Sequence, residues 1–410
     1  MQKVAALLML VVGIFTRTDA VDSLNCRLVG SCILEGPRSG IALSGDFAYV
    51  SGGYGSLWIL DVANPTAPYI VGRFDTTDMS RTIAVSGSLA YMVAYGSSDG
   101  LWIIDVSDPQ EPYAVARCSL SCVTLDIVLS GDYAYLPAGS HGLRIVDVSE
   151  PLKPREVGYW DGPLSTQNVA LSGNLAYVAQ NDSDLYVVDV SKPQAPYAVG
   201  HCSLPGFALR VAVSGDFAYV AGFDVAGKLW VIDVSNPQEP YQVGGAFFPG
   251  TAKGVAVSGE FVYVVSRQGL YVIDVSDPRN PHLAGWYVVD IGGLAVSGNL
   301  AYTPGLEVIE FLGEGVAENG GPEPKRLTLE TYPNPVQGAL LVRYDVPRQA
   351  QASIGIYDIG GRLVRSLSEG KVAPGRYEAK LPARALPAGV YFCTLDNGER
   401  RISRKIVLTE

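Results

Sequence analysis

The sequence predicts an all-β protein in two parts: a seven-bladed β-propeller closed by an N-terminal strand, then a C-terminal Ig-like β-sandwich. Three observations carry this. The phrase LWIIDVSDPQEPYAV at Leu101 has five sisters, and the Asp residues of the six copies lie 44, 42, 42, 44 and 41 residues apart. A second phrase, of the type AVSGDFAYV, occurs seven times in step with the first. One strand of the repeat is missing after the last copy and stands orphaned near the other end, as CRLVGSC at Cys26. A period of about 40–45 residues marks a stacked or radial repeat architecture.

In chain order, residues 1–20 read as a signal peptide. Lys3 precedes an apolar run from Val4 to Phe15, and Thr18 and Ala20 sit at the −3 and −1 positions of a cleavage site. The run is too short to span a bilayer. Export of a soluble or surface-held protein is therefore expected, with no transmembrane segment.

Residues 21–312 form the propeller. Each period holds four strand candidates; in the second they are IAVSG, LAYMVAY, LWIIDV and PYAVARC. Their nearly continuous apolar runs suit strands covered on both faces. The first two meet at Gly-X turns such as Gly45-Asp46 and Gly215-Asp216, the type II′ hairpin signature. The third strand occurs six times, plus a worn copy, LEVIEF at Leu306, with Glu310 in the Asp position. The fourth is absent after Phe311. Val29 precedes Val71 by 42 residues, in step with the repeat, so Leu28–Gly30 is expected to complete the last blade. Closure would remove an exposed sheet edge; the alternative is an open solenoid.

The repeat also decides how to read its carboxylates. Asp61, Asp105, Asp147, Asp189, Asp233 and Asp274 invite a catalytic reading, being set among apolar neighbours. A catalytic acid is normally unique in a chain. Six copies in one register indicate a turn-fixing group, closing a local turn onto the backbone two residues on.

LWIIDVSDP and its sisters resemble the LVIVD repeat of bacterial and archaeal surface propellers, over about residues 25–311. That resemblance implies a cell-surface location and no shared activity.

Residues 313–327, a polar Gly/Pro-bearing stretch, read as a linker. Beyond them, LLVRYDV, ASIGIYDI, GVYFCTL and RISRKIVL read as strands of a small sandwich at 328–410. YPNP at Tyr332, IYDIGGRLVR at Ile356, LPAGVYFCTL at Leu386 and RKIVL at Arg404 resemble the type A C-terminal sorting domain of the type IX secretion system. The resemblance implies passage across an outer membrane through the secretion machinery. The related hook-capping Ig-like domain shares much of the pattern, and a permanently attached adhesive domain is the simpler alternative.

Charge separates the two parts. The chain carries 30 Lys+Arg and 41 Asp+Glu, of which 14 and 9 lie from Pro322 onward, leaving 16 and 32 before it. The repeat region is acidic, which argues against nucleic acid as a partner. Cys118 and Cys122 are close enough in sequence for a bridge across a strand end; no Cys or His spacing forms a metal set. NDSD at Asn181 and SSDG at Ser97 hint at calcium but lack EF-hand spacing. No cofactor is implied, and a monomer is expected.

Function is expected in the loops. The SGD and DVSxPxxP turns repeat almost verbatim, whereas the loops after the second and fourth strands differ in every blade. Divergent loops on a rigid scaffold serve recognition. Gly40, Thr82, Asp126, Asn168, Arg210, Gly254 and Gly293 open the innermost strands and should ring the channel mouth, with Arg81, Gln167 and Lys253 one step behind. Trp160, Phe247 and Trp286 are candidate apolar contacts. The expectation is a non-catalytic binding module for an extracellular glycan, peptide or surface partner. The alternative is a lyase or hydrolase at the same mouth, for which only Asp126, Arg210 and His141 are candidates. They form no known catalytic motif.

Overall fold

The computed structural model describes residues 23–95, 100–163, 165–181, 183–224, 226–289, 292–313, 328–332, 339–346, 350–372, 375–382, 386–397 and 400–408. The expected signal peptide and nearly all of the linker lie outside these residues, as do parts of the SSDG, NDSD and YPNP stretches. The chain divides into two compact units, Met1–Phe311 and Leu312–Glu410. Among the described residues, no helix is long and apolar enough to cross a membrane.

Seven antiparallel sheets make up the described part of the first unit. The first contains Arg38–Ser44, Phe47–Gly52, Ser56–Asp61 and Tyr69–Asp75, in sequence order from the inside outward. Turn chemistry starts each sheet. Gly45, Gly87, Gly131, Gly173, Gly215, Gly259 and Gly298 have φ between 55° and 60°, while the residues after them do not have positive φ. That is the type II′ pattern, and Gly adopts it without steric cost. A second contact repeats seven times. The N–H at the end of each third strand bonds back to the first hairpin, from Val62 to the Asp46 carbonyl at 2.8 Å through Phe311 to the Asn299 carbonyl at 2.9 Å. The two uniform loop classes are thereby tied together.

The strands differ in burial by position. Second and third strands are buried on both faces, as in Phe47–Gly52 and Ser56–Asp61. The fourth strand is largely exposed, as in Tyr69–Asp75, so its apolar reading from sequence overstated its cover. Side chains of adjacent sheets share cores: Tyr49, Leu57 and Ile59 of the first pack with Ile83, Met92 and Ile104 of the second.

Successive innermost strands touch, and Ala295–Ser297 of the seventh sheet touches Arg38–Ser44 of the first. The seventh sheet is completed by Cys26–Ser31, which pairs antiparallel with Glu307–Phe311, Cys26 opposite Phe311 and Ser31 opposite Glu307. An unexpected addition precedes it: Ser23–Leu24 pairs with the sixth sheet, Leu24 opposite Trp286. The N-terminal segment therefore straddles two sheets, and Asn25 between them donates to the Ala284 carbonyl at 2.6 Å.

The closing sheet also changes the repeat's polar contact. The six Asp residues each accept the N–H of the residue two on, at 2.8–3.0 Å. In five of them, Asp61, Asp105, Asp147, Asp189 and Asp233, the second oxygen reaches across to the fourth strand, where Tyr69, Tyr113, Tyr197 or Tyr241 donates its hydroxyl, or Arg155 its guanidinium. These bonds hold Asp105, Asp147, Asp189 and Asp233 below the ordinary carboxylate range, the Ser two residues on being the main cause. Glu310, in the worn seventh copy, instead pairs with Arg27 of the N-terminal strand at 2.7 Å.

The described part of the second unit has two sheets. One contains Thr328–Tyr332, Ala339–Val346 and Gly375–Pro382; the other contains Leu363–Val372, Ala350–Tyr357, Gly389–Asp396 and Arg401–Leu408. Leu329, Leu340 and Val342 of the first share a core with Ile354, Ile356 and Leu395 of the second.

None of the six cysteines forms a disulfide, and Cys118 and Cys122 are both buried thiols rather than a bridge. Burial pushes the Cys26 and Cys393 thiols up to about 12. Such thiols carry almost no thiolate at neutral pH and are inert.

Candidate functional site

The innermost strands start with a shared irregularity. Register slips by one residue between Arg38 and Gly40, Ser80 and Thr82, Thr166 and Asn168, Ala208 and Arg210, and Ala252 and Gly254. A bulge at a sheet end re-aims side chains and ends regular pairing. Here it opens a cavity of about 1080 Å³ at the mouth of the ring.

Gly40, Thr82, Asp126, Asn168, Arg210, Gly254 and Gly293 all line this cavity, as do Arg81 and Lys253. Gln167 does not. It is the bulged residue of the fourth sheet, and its amide donates to Ser165 Oγ at 2.9 Å. The bulge that carries Arg81 and Lys253 to the mouth holds Gln167 against its own loop. Trp160, Phe247 and Trp286 also lie outside the lining. Trp160 packs on Tyr186 with ring centroids 5.4 Å apart, Phe247 lies under Lys228, and Trp286 packs with the fifth- and sixth-sheet core. His141 sits in a turn outside the cavity, its N–H bonded to the Ala138 carbonyl at 3.0 Å.

Asp126, Asn168 and Arg210 come together across three sheets. Asp126 Oδ1 accepts from Thr82 Oγ1 at 3.0 Å and from the Ile127 N–H at 2.8 Å; Oδ2 accepts from Asn168 Nδ2. The Asn168 carbonyl oxygen in turn accepts the Val211 N–H at 2.8 Å. One amide thus stitches the third, fourth and fifth sheets. Arg210 donates through Nε to the Lys253 carbonyl at 2.8 Å and through Nη1 to the Leu209 carbonyl at 2.7 Å. It is fixed by backbone, and Asp126 acts on it through space.

Asp126 is half-buried in the cavity wall. Burial pushes its carboxyl above the ordinary range, against the Arg210 charge and its three donors. Burial also lowers Arg210, and Lys253 is lowered by burial first and then by Arg267 and Arg210. On Arg210 the Asp126 charge works against burial, and Arg81 adds a smaller push downward.

Among the lining residues that the sequence reading did not single out are Arg38, Tyr95 and Arg267. Arg267 belongs to the variable loop SRQG, and Arg38 precedes the first bulge; their signal was the scarcity of basic residues in this half of the chain. Tyr95 ends a second strand, and the Arg81 guanidinium lies over its ring at 5.2 Å from the centroid. Among the described residues there is no cluster of His, Cys, Asp or Glu able to hold a metal ion.

A family model for the LVIVD repeat matches residues 35–76, 79–119, 123–161, 165–203, 205–245 and 249–289, more than half of the chain. A second model, the secretion system C-terminal sorting domain, matches residues 330–409. Curated proteins gave no match. Among solved structures, the Cps50 (Swd1) beta-propeller domain of Myceliophteria thermophila is similar at 13% identity and a TM-score of 0.56, covering 70% of this chain and 99% of that one. The computationally designed Ika8 protein is similar at 10% identity and a TM-score of 0.50, covering 69% and 99%. At such identities the likeness speaks for the fold alone.

Proposed function

The chain belongs to the LVIVD-repeat family, and on that premise we propose that it is a binding module whose ligand seat is the channel mouth. Its C-terminal sorting domain directs secretion to the outer surface or the medium. We read the first unit as a seven-bladed propeller closed by its N-terminal strand, and the second as an Ig-like sandwich that engages the secretion machinery.

One observation carries the binding reading: the cavity at the variable-loop end, with polar side chains from successive sheets fixed around it. The Asp126–Asn168 pair and the backbone-anchored Arg210 hold their geometry before any ligand arrives. Such preorganisation lowers the entropy lost on binding. Binding rather than turnover is supported by the state of Asp126. A buried carboxyl with a raised pKa is an enzyme-site candidate, but both its oxygens are occupied by donors of the fold.

The test is an array of surface glycans and peptides probed with the full chain and with Arg81→Ala. We expect at least one ligand that the wild type retains, that Arg81→Ala loses, and that is recovered chemically intact. A ligand held equally by both proteins moves the seat elsewhere; a ligand recovered cleaved favours the lyase or hydrolase alternative.

A further inference from the structure

The cavity is basic inside an acidic unit. Its charged lining is Arg38, Arg81, Arg210, Lys253 and Arg267 against the single carboxylate of Asp126. These are five of the 16 Lys and Arg residues that precede Pro322, in a stretch that carries 32 acidic residues. Six of the nine other described basic residues of the unit pair with carboxylates: Arg27 with Glu310, Arg73 with Asp75, Arg117 with Asp78, Arg144 with Glu156, Arg155 with Asp147 and Lys153 with Glu150. Among the described residues, none of the five lining cations lies in an ion pair.

Two of the five are anchored without being neutralised. Arg38 donates to the Gly36 and Gly305 carbonyls at 3.1 and 3.4 Å, and Arg210 to those of Lys253 and Leu209. Carbonyls fix a guanidinium but leave its net charge. Arg81 Nε is buried with no hydrogen-bond partner, although a buried N–H donor normally has one. Five like charges facing one carboxylate repel one another, and a bound anion lowers that cost. The surrounding acidic surface would repel an anion elsewhere and leave the mouth as its place of lowest energy.

We infer that the channel mouth binds a ligand carrying two or more acidic oxyanion groups, carboxylate or phosphate, in a body about the size of a short oligosaccharide. This rests on the binding reading above and gives the ligand its chemistry. Guanidinium forks match planar carboxylate and tetrahedral phosphate oxygens in pairs. A cavity of about 1080 Å³ has room for more than one such group with the sugar-sized frame that joins them.

The experiment is calorimetry on the full chain at low salt with three probes: trigalacturonate, inorganic pyrophosphate and neutral maltotriose. We expect trigalacturonate or pyrophosphate to bind and maltotriose not to. Whichever of the two binds more tightly identifies carboxylate or phosphate as the preferred source. The double variant Arg81→Gln, Arg267→Gln should bind the preferred anion roughly tenfold or more weakly, the usual scale for losing a charge-assisted hydrogen bond. Lys192→Gln, in a DVSKP turn on the uniform face, should leave it unchanged. A matching melting temperature for each variant shows that it is folded. No binding of either anion, or equal weakening by Lys192→Gln, overturns the inference. If maltotriose alone binds and the double variant loses it, the mouth remains a binding seat and only its anionic character falls.

Discussion

Replacing Gly30 by Ala is expected to loosen the ring where it closes. A Cβ built on Gly30 lies 2.0 Å from the Pro65 carbonyl oxygen, 3.0 Å from its carbon and 3.1 Å from Pro68 Cδ. Ordinary contact begins near 3.4 Å, so the closing strand and the first DVANPTAP turn must separate by over an ångström. Both sides of the clash are backbone or proline ring, which do not rotate away. Overpacking of this kind costs about 1–3 kcal/mol. At roughly 2–4 °C per kcal/mol for a unit of this size, the melting temperature should fall by about 2–12 °C. Calorimetry and urea titration of wild type and Gly30→Ala measure it, with Ala116→Gly as the control. Ala116 holds the equivalent position in the second sheet, so its replacement should cost no more than the ordinary Ala-to-Gly penalty of about 1 kcal/mol. Deleting residues 23–35 removes both N-terminal pairings and should cost more than Gly30→Ala. A Gly30→Ala protein as stable as wild type would refute the close approach, and an unchanged melting temperature in the deletion would refute closure itself.

The remaining predictions concern the turns and the tail. Asp105→Ala should lower the urea midpoint at pH 7 and leave ligand affinity unchanged in the folded fraction. Because Asp105 is held below its unfolded value, its contribution is present above about pH 4 and is lost as pH falls through the lower folded value. The gap between wild type and Asp105→Ala should therefore narrow from pH 7 to pH 3; a constant gap would count against the charged Asp105–Ser107 contact. Removing residues 328–410 should leave the first unit folded but retained inside the outer membrane of a host with the matching machinery. Normal amounts of that truncated protein in the medium or on the surface would rule out the sorting role.

The sequence by itself determined what is periodic or local. Seven hairpins, six Asp turns and the orphan strand at Cys26 are written in a period that a linear reading detects, because turn chemistry acts within a few residues. The sorting domain was legible for a similar reason, since its motifs are short and fixed in order. The tertiary structure decided what depends on contact between sheets. The glycine of the fourth strand has no reason within its own blade; its reason is the proline turn of the next sheet. A Cβ at Gly72, Gly158, Gly200 or Gly244 would meet the Pro109, Pro193, Pro237 or Pro278 carbonyl oxygen at 1.9–2.3 Å. Ring position found Asp126, Asn168 and Arg210, because the repeat numbers the first residue of each innermost strand. It misplaced Gln167, because a one-residue bulge changes a side chain's direction without changing the period, and it missed Arg38, which precedes a bulge, and Arg267, which lies in a loop. The basic character of the mouth also lay beyond a linear count. Arg38 and Arg267 are 229 positions apart in an acidic sequence, and only closure of the ring brings them to one cavity.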